Sequence, residues 1–156
     1  MPHDHSHAAG EAPQNHTIQI SLFLFFLIVW ILDSFIFRFT AYANVIPYFL
    51  NVFVGIVILI VAGYLMSRSH IVFEGRDPHV VDHGLYAHIR HPMYLGSILL
   101  YVGFWTTTLS LLSVIPLVTI ILGYNYLANT EEHLLEAKFG DQYLDYKNRV
   151  PKWIPR

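Results

Sequence analysis

An all-α integral membrane protein is the fold class this sequence predicts, with about four transmembrane helices followed by short C-terminal interfacial helices. Two observations carry that reading. Hydrophobic residues make up 54% of the 156 residues and charged residues only 13%, against about 25% charged in a soluble domain. The apolar residues also gather into runs that match the roughly 20 residues a helix needs to cross a bilayer. Backbone facing lipid must satisfy its own hydrogen bonds, so such runs coil into helices.

Met1–His16 ("MPHDHSHAAGEAPQNH") is polar and His-rich, and is expected to be a disordered tail. It carries no Lys or Arg, and no small-residue cleavage site follows the next apolar run, so a removable signal peptide is not expected. Residues 17–156 are read as a single membrane domain. The first span is 17–39 ("TIQISLFLFFLIVWILDSFIFRF"), followed by a short outer turn around Thr40 to Asn44 and a second span over 45–66. Asp33, near the outer end of the first span, is expected to snorkel or to pair with Arg38 rather than to mark a functional site. Ser67 to His91 is too rich in Gly, Pro, Asp and His to be a span. Met93 to Ala128 is long enough for two crossings, 93–109 and 111–128, reversing within "TTTLSLLS" (Thr106 to Ser113).

A C-terminal amphipathic segment, 130–150, comes last. Leu135, Phe139, Tyr143, Tyr146 and Val150 recur at helical spacing, with Asp, Glu, Lys and Gln on the other side. Gly140 is expected to divide it into two short helices, with Asp141 capping the second. Such a face can lie on lipid headgroups or fold under the bundle as a lid. Periodicity alone favours the headgroups.

Charge placement orients the chain. Arg68, Arg76 and Arg90 lie in the long loop and Lys138, Lys147, Arg149, Lys152 and Arg156 in the tail, while only Arg38 falls on the opposite side. Positive residues stay cytosolic, so the termini, the loop and the tail are all expected there. The absence of cysteine excludes disulfides, thiolate metal sites, a cysteine nucleophile and prenylation of this chain. A net charge of −2 gives no indication of nucleic-acid binding. Oligomeric state is not legible.

Two polar clusters meet at the inner face. In "GLYAHIRHPMYLG" (Gly84 to Gly96), Pro92 suits the first turn of the third span and His91 its cap. The exposed N–H groups of a helix start attract anions, and Arg90 adds a forked cation. A headgroup anchor would explain Arg90 alone, but not the six histidines between His70 and His133. The second cluster is "NTEEHLL" (Asn129 to Leu135), whose Glu131 and Glu132 are poor anchors at a face that favours cations. Alternatively, Asn129 or Thr130 caps a tail helix and the glutamates complement its dipole. A helical hairpin sets the start of span three beside the end of span four, so Arg90 and Glu131 converge at the cytosolic interface. With the imidazoles and Tyr86, Tyr94, Tyr124 and Tyr126, the site suits a zwitterionic ligand with an aromatic part. The His3, His5 and His7 tract could chelate a metal but reads better as a solvated tail, and no metal site is assigned.

The ordered set Gly84, Tyr86, Arg90, His91, Pro92, Tyr94, then Glu131, Glu132, then Phe139, Gly140, Tyr143, Tyr146, Val150 and Pro151 resembles the isoprenylcysteine carboxyl methyltransferase family. More distantly it is similar to the membrane phospholipid N-methyltransferases. The resemblance runs from His79 to Pro155; the first two spans carry no signature. It implies a membrane methyltransferase using S-adenosyl-L-methionine without a Rossmann domain. By the resemblance, His79, Val80 and Val81 hold the cofactor through backbone groups, and Tyr86 with His91, Pro92, Met93 and Tyr94 lines the same pocket. Glu131 falls on a family glutamate implicated in substrate handling or catalysis, and is assigned as catalytic together with Arg90; Glu132 is assigned to the cofactor.

Leu127 stands where eukaryotic members carry an arginine, which weakens the case for a prenylcysteine carboxylate. The expected partners are therefore membrane lipid and a lipophilic or small-molecule acceptor. A phospholipid amine is the alternative acceptor, and a non-enzymatic His-rich metal-binding protein the remote alternative.

Overall fold

The computed structural model describes residues 15–40, 47–73 and 80–154. The His-rich tail up to residue 14, most of the expected outer turn, Arg76 and His79 lie outside the described residues. Helix α1 (Asn15–Ile31) runs into a π-helical segment (Leu32–Phe37). Helix α2 (Tyr48–Phe73) returns, and a short 3-10 turn (Gly84–Ala87) leads into the hairpin of α3 (Pro92–Thr108) and α4 (Val114–Phe139). Helix α5 (Asp141–Arg149) follows after Gly140.

Among the described residues, two stretches are long and apolar enough to cross a membrane, Thr17–Phe37 and Tyr48–Ser69, each with mean hydropathy 2.5. Their outer faces remain apolar: Phe49 is 75% exposed, and Phe53 and Ile60 on α2 and Phe25 and Ile28 on α1 are exposed as well. A soluble protein would bury such residues; hydrocarbon accepts them. Inside, Phe26, Tyr94, Tyr101, Leu117, Ile120, Tyr124, Leu127 and Ala128 form the core between α1, α3 and α4.

Small residues let α2 and α3 approach closely, and these two helices share the largest interface. A Cβ on Gly55 would lie 2.7 Å from Thr107 Cγ2 and 3.0 Å from the Gly103 carbonyl oxygen. Further along, a Cβ on Gly96 would lie 3.1 Å from the Ala62 carbonyl oxygen. Without apolar driving force in lipid, such backbone proximity supplies the packing.

A polar network closes the opposite end. Asp33 is 1% exposed. Its carboxylate accepts from the Thr40 N–H (3.0 Å), the Thr40 hydroxyl (2.6 Å) and the Ser110 hydroxyl. The Ser34 hydroxyl and the Trp30 indole N–H both donate to Thr108 Oγ1, each at 2.9 Å. Contrary to the sequence expectation, Asp33 neither snorkels nor pairs with Arg38; Thr40, just after its own helix, and Ser110 of the α3–α4 turn bond it instead. A carboxylate so bonded needs no cation.

Candidate functional site

The segment before α3 is held by the C-terminal strand of chain. The Arg90 N–H donates to the Pro151 carbonyl at 3.0 Å, and the Tyr146 hydroxyl to the Tyr86 carbonyl at 2.8 Å. Tyr143, Tyr146 and Val150 are buried together, with Val80, Leu135 and Phe139 packed on them. The apolar face read from periodicity thus packs against protein, under the bundle, and not on headgroups. Gly140 makes this possible at φ 55°, ψ −129°, a conformation nearly confined to glycine. It also precedes α5 directly, so Asp141 lies inside the first turn and makes no side-chain cap.

His91 sits at the N-cap of α3 with Pro92 at the first helical position, as expected. Its side chain caps nothing and turns to α4 instead. His91 Nε2 lies 3.0 Å from Glu132 Oε1, and Nδ1 3.5 Å from Glu131 Oε2. Arg90 Nη2 is 3.4 Å from Glu132 Oε1, and Lys147 Nζ is 3.2 Å from Glu132 Oε2. Lys147 also bonds Glu136. Helix α4 is continuous through this region, and the Thr130 hydroxyl bonds back to the Tyr126 carbonyl at 3.1 Å. The capping alternative for Asn129 and Thr130 is thereby removed.

Burial works against the charge on Glu132, but the His91 hydrogen bond, the Arg90 guanidinium and Lys147 outweigh it and hold its carboxyl at about 2. Burial likewise opposes a charged His91, yet hydrogen bonds and attraction from Glu131 and Glu132 raise its pKa above the ordinary 6.5. Glu132 is a saturated hub. Glu131, with its side chain 15% exposed and a single contact to His91, is the less committed carboxylate. Arg90 is the opposite case: its side chain is 10% exposed, and its Nε and Nη1 have no hydrogen-bond partner among the described residues. Unpaired buried donors are costly, so these two point to a bound acceptor atom.

The structure brings Arg90, His91, Glu131 and Glu132 together. Tyr94 stacks on His91 with ring centroids 5.7 Å apart, and Tyr124 packs on Tyr94 at 5.3 Å. Pro92 is buried, Met93 packs on the core, and Val81 is half-buried in the loop. Tyr86 contributes its carbonyl, already bonded to Tyr146. Tyr126 is 67% exposed and does not join. Sequence reading missed Lys147, Lys152 and Trp153. Lys152 Nζ donates to Asn125 Oδ1 (3.2 Å) and Asn129 Oδ1 (2.6 Å), and the Trp153 ring lies 5.9 Å from His91. The available signal was the stripe Asn125, Asn129, Glu132, Glu136, whose spacing of four, three and four marks one face of α4.

A model of the family described as phospholipid methyltransferase matches residues 39–142, well over half of the chain. The chain belongs to the phospholipid methyltransferase family. Its similarity extends to protein-S-isoprenylcysteine O-methyltransferase B of Arabidopsis thaliana, 32% identical over 57% of this chain and 47% of the relative. The Schizosaccharomyces pombe protein-S-isoprenylcysteine O-methyltransferase is 36% identical over 57% of this chain and 39% of its own. Methanethiol S-methyltransferase 1 of Bradyrhizobium diazoefficiens is 33% identical over 60% and 32%, respectively. The chain thus spans less than half the length of these relatives within the matched regions. In fold it is similar to the eukaryotic intramembrane Ras methyltransferase ICMT (isoprenylcysteine carboxyl methyltransferase), with TM-score 0.68 and 22% identity over 93% of this chain and 53% of that one. This membrane family, with the two apolar helices, makes the chain an integral membrane protein of all-helical fold.

Proposed function

We propose that this chain is a membrane methyltransferase that uses S-adenosyl-L-methionine, with the site at the cytosolic ends of α3 and α4. In this reading α1, α2, α3 and the apolar part of α4 each cross the bilayer and both termini are cytosolic. The observation that carries it is the buried Arg90 guanidinium, whose Nε and Nη1 have no partner among the described residues, beside the His91–Glu131–Glu132 cluster. A carboxylate oxygen is the natural acceptor for unpaired guanidinium donors, and the methionine end of the donor carries a carboxylate. Glu131, not the saturated Glu132, is then the residue to face an ammonium.

When bound, the donor supplies a methyl group already activated by a sulfonium. The residues of this chain have to orient donor and acceptor and exclude water. Tyr94, Tyr124 and Trp153 supply the apolar walls beside His91. His91, whose two ring nitrogens already face Glu131 and Glu132, is poorly placed to act as a base. An anionic acceptor needs none; for a thiol or amine, Glu131 is the residue able to take the proton. The relatives' names support a carboxylate or thiol acceptor, and the family description supports a phospholipid amine as a second reading.

Binding of labelled S-adenosyl-L-methionine to the purified protein tests the proposal. Arg90→Ala is expected to weaken it about tenfold or more. Undetectable binding to the wild-type protein would refute the function, and unchanged binding and turnover in both Arg90→Ala and Glu131→Ala would refute the site.

A further inference from the structure

The cations at the inner end of the molecule are not treated alike. Arg90 faces Glu132, Lys147 is shared by Glu132 and Glu136, and Arg149 reaches Asp82 at 3.7 Å. Lys152 differs. It is half-buried, it has no carboxylate within 4.0 Å among the described residues, and it is gripped by two neutral amide oxygens on α4. Its ammonium also lies 5.5 Å from the Trp153 ring, which in turn faces His91. Along the α4 stripe the carboxylates occupy the lower half, Glu132 and Glu136, while the amides Asn125 and Asn129 occupy the half nearer the bilayer. The result is a positioned but un-neutralised cation at the membrane end of the site.

Resting on the methyltransferase reading above, we infer that Lys152 is a specificity-determining residue that binds the carboxylate head of an apolar acceptor entering from the bilayer. Amide oxygens orient an ammonium without cancelling its charge, and near hydrocarbon an uncompensated charge strongly favours an arriving anion. Burial, together with the nearby Arg90 and Lys147, holds the Lys152 pKa below its ordinary value despite the attraction of Glu132; an anion beside it reverses that. In the transfer, a carboxylate oxygen lone pair forms the bond to the methyl carbon, the carbon–sulfur bond breaks, and its electron pair stays on sulfur. No proton moves. The ester product is neutral, so the attraction to Lys152 that captured the acceptor vanishes on methylation and the product is released.

The test uses the full chain in lipid vesicles with an S-prenylated cysteine carrying a free carboxylate as acceptor, and its carboxamide as a neutral competitor. Lys152→Gln is expected to raise the acceptor KM about tenfold with little change in kcat. Lys152→Arg is expected to restore most of the loss. Inhibition by the carboxamide and affinity for S-adenosyl-L-methionine should stay within about twofold of wild type. A loss of cofactor affinity in Lys152→Gln would assign the lysine to the donor's carboxylate instead and overturn the inference. Equal weakening of acid and amide would reduce Lys152 to a tether of the C-terminal strand, with the same consequence. Wild-type protein that binds the cofactor but methylates no carboxylate overturns this inference alone, whereas protein that binds no cofactor overturns the methyltransferase reading as well.

Discussion

Glu131 and Glu132 are neighbours in sequence with opposite situations. Glu132 is 4% exposed and compensates Arg90, His91 and Lys147 at once. Removing its charge strands the buried Arg90 and leaves His91 with Glu131 and Lys147 with Glu136, so Glu132→Gln should cost about 3 kcal/mol or more, read as a lowered Tm. Glu131→Gln should leave Tm nearly unchanged and reduce turnover. The His91 contacts also set a pH dependence. His91 has a raised folded-state pKa, so its contribution to stability is complete below 6.5 and lost as pH rises through the folded value. Glu132 has the opposite sign: its contribution is present above 4.5 and is lost as pH falls through about 2. The Tm difference between wild type and His91→Gln should therefore shrink as pH rises from 6 towards 9; a constant difference would contradict the pairing. The acidic pair was visible in the sequence. Which member is buried was not, because adjacent residues sit about 100° apart on a helix and only the packing of α4 fixes its rotation.

Among the elements, the α2–α3 seam is the most sensitive to added volume. Gly55→Ala puts a methyl 3.0 Å from the Gly103 carbonyl oxygen, an atom that cannot yield without moving α3, and should cost about 1–3 kcal/mol. Gly63→Ala on the same helix meets nothing within 4 Å and should be neutral or stabilising, by up to about 1 kcal/mol. Thermal unfolding of the two variants in one detergent separates them; equal Tm values would contradict the close approach. The break at Gly140 was legible because glycine ends helices so often. The continuity of α4 past Asn129 was not. Those residues resemble caps, yet in mid-helix a threonine hydroxyl bonds back one turn and the helix continues.

For the whole molecule, hydrophobic run length and charge placement were enough to read helical hairpins and to set the loop before α3 beside the end of α4. The Asp33 network was beyond reach. Asp33 meets Ser110 across 77 residues of sequence, about half the chain, and no local pattern marks such a pairing. That network and the Glu132 cluster lie on one rigid strut. From Ser113, bonded to Ser110 in the network at 2.7 Å, to Glu132, α4 climbs about 28 Å at 1.5 Å per residue, close to the roughly 30 Å of hydrocarbon in a bilayer. With α4 crossing as proposed, the strut works as a gauge. Thicker membranes drag one hydrophilic end into oil or force the rod upright, shifting Glu131 relative to the His91 it contacts on α3. Catalytic rate in vesicles of graded acyl length should pass through an optimum, so that the thickness of the surrounding membrane becomes a governor of the chemistry.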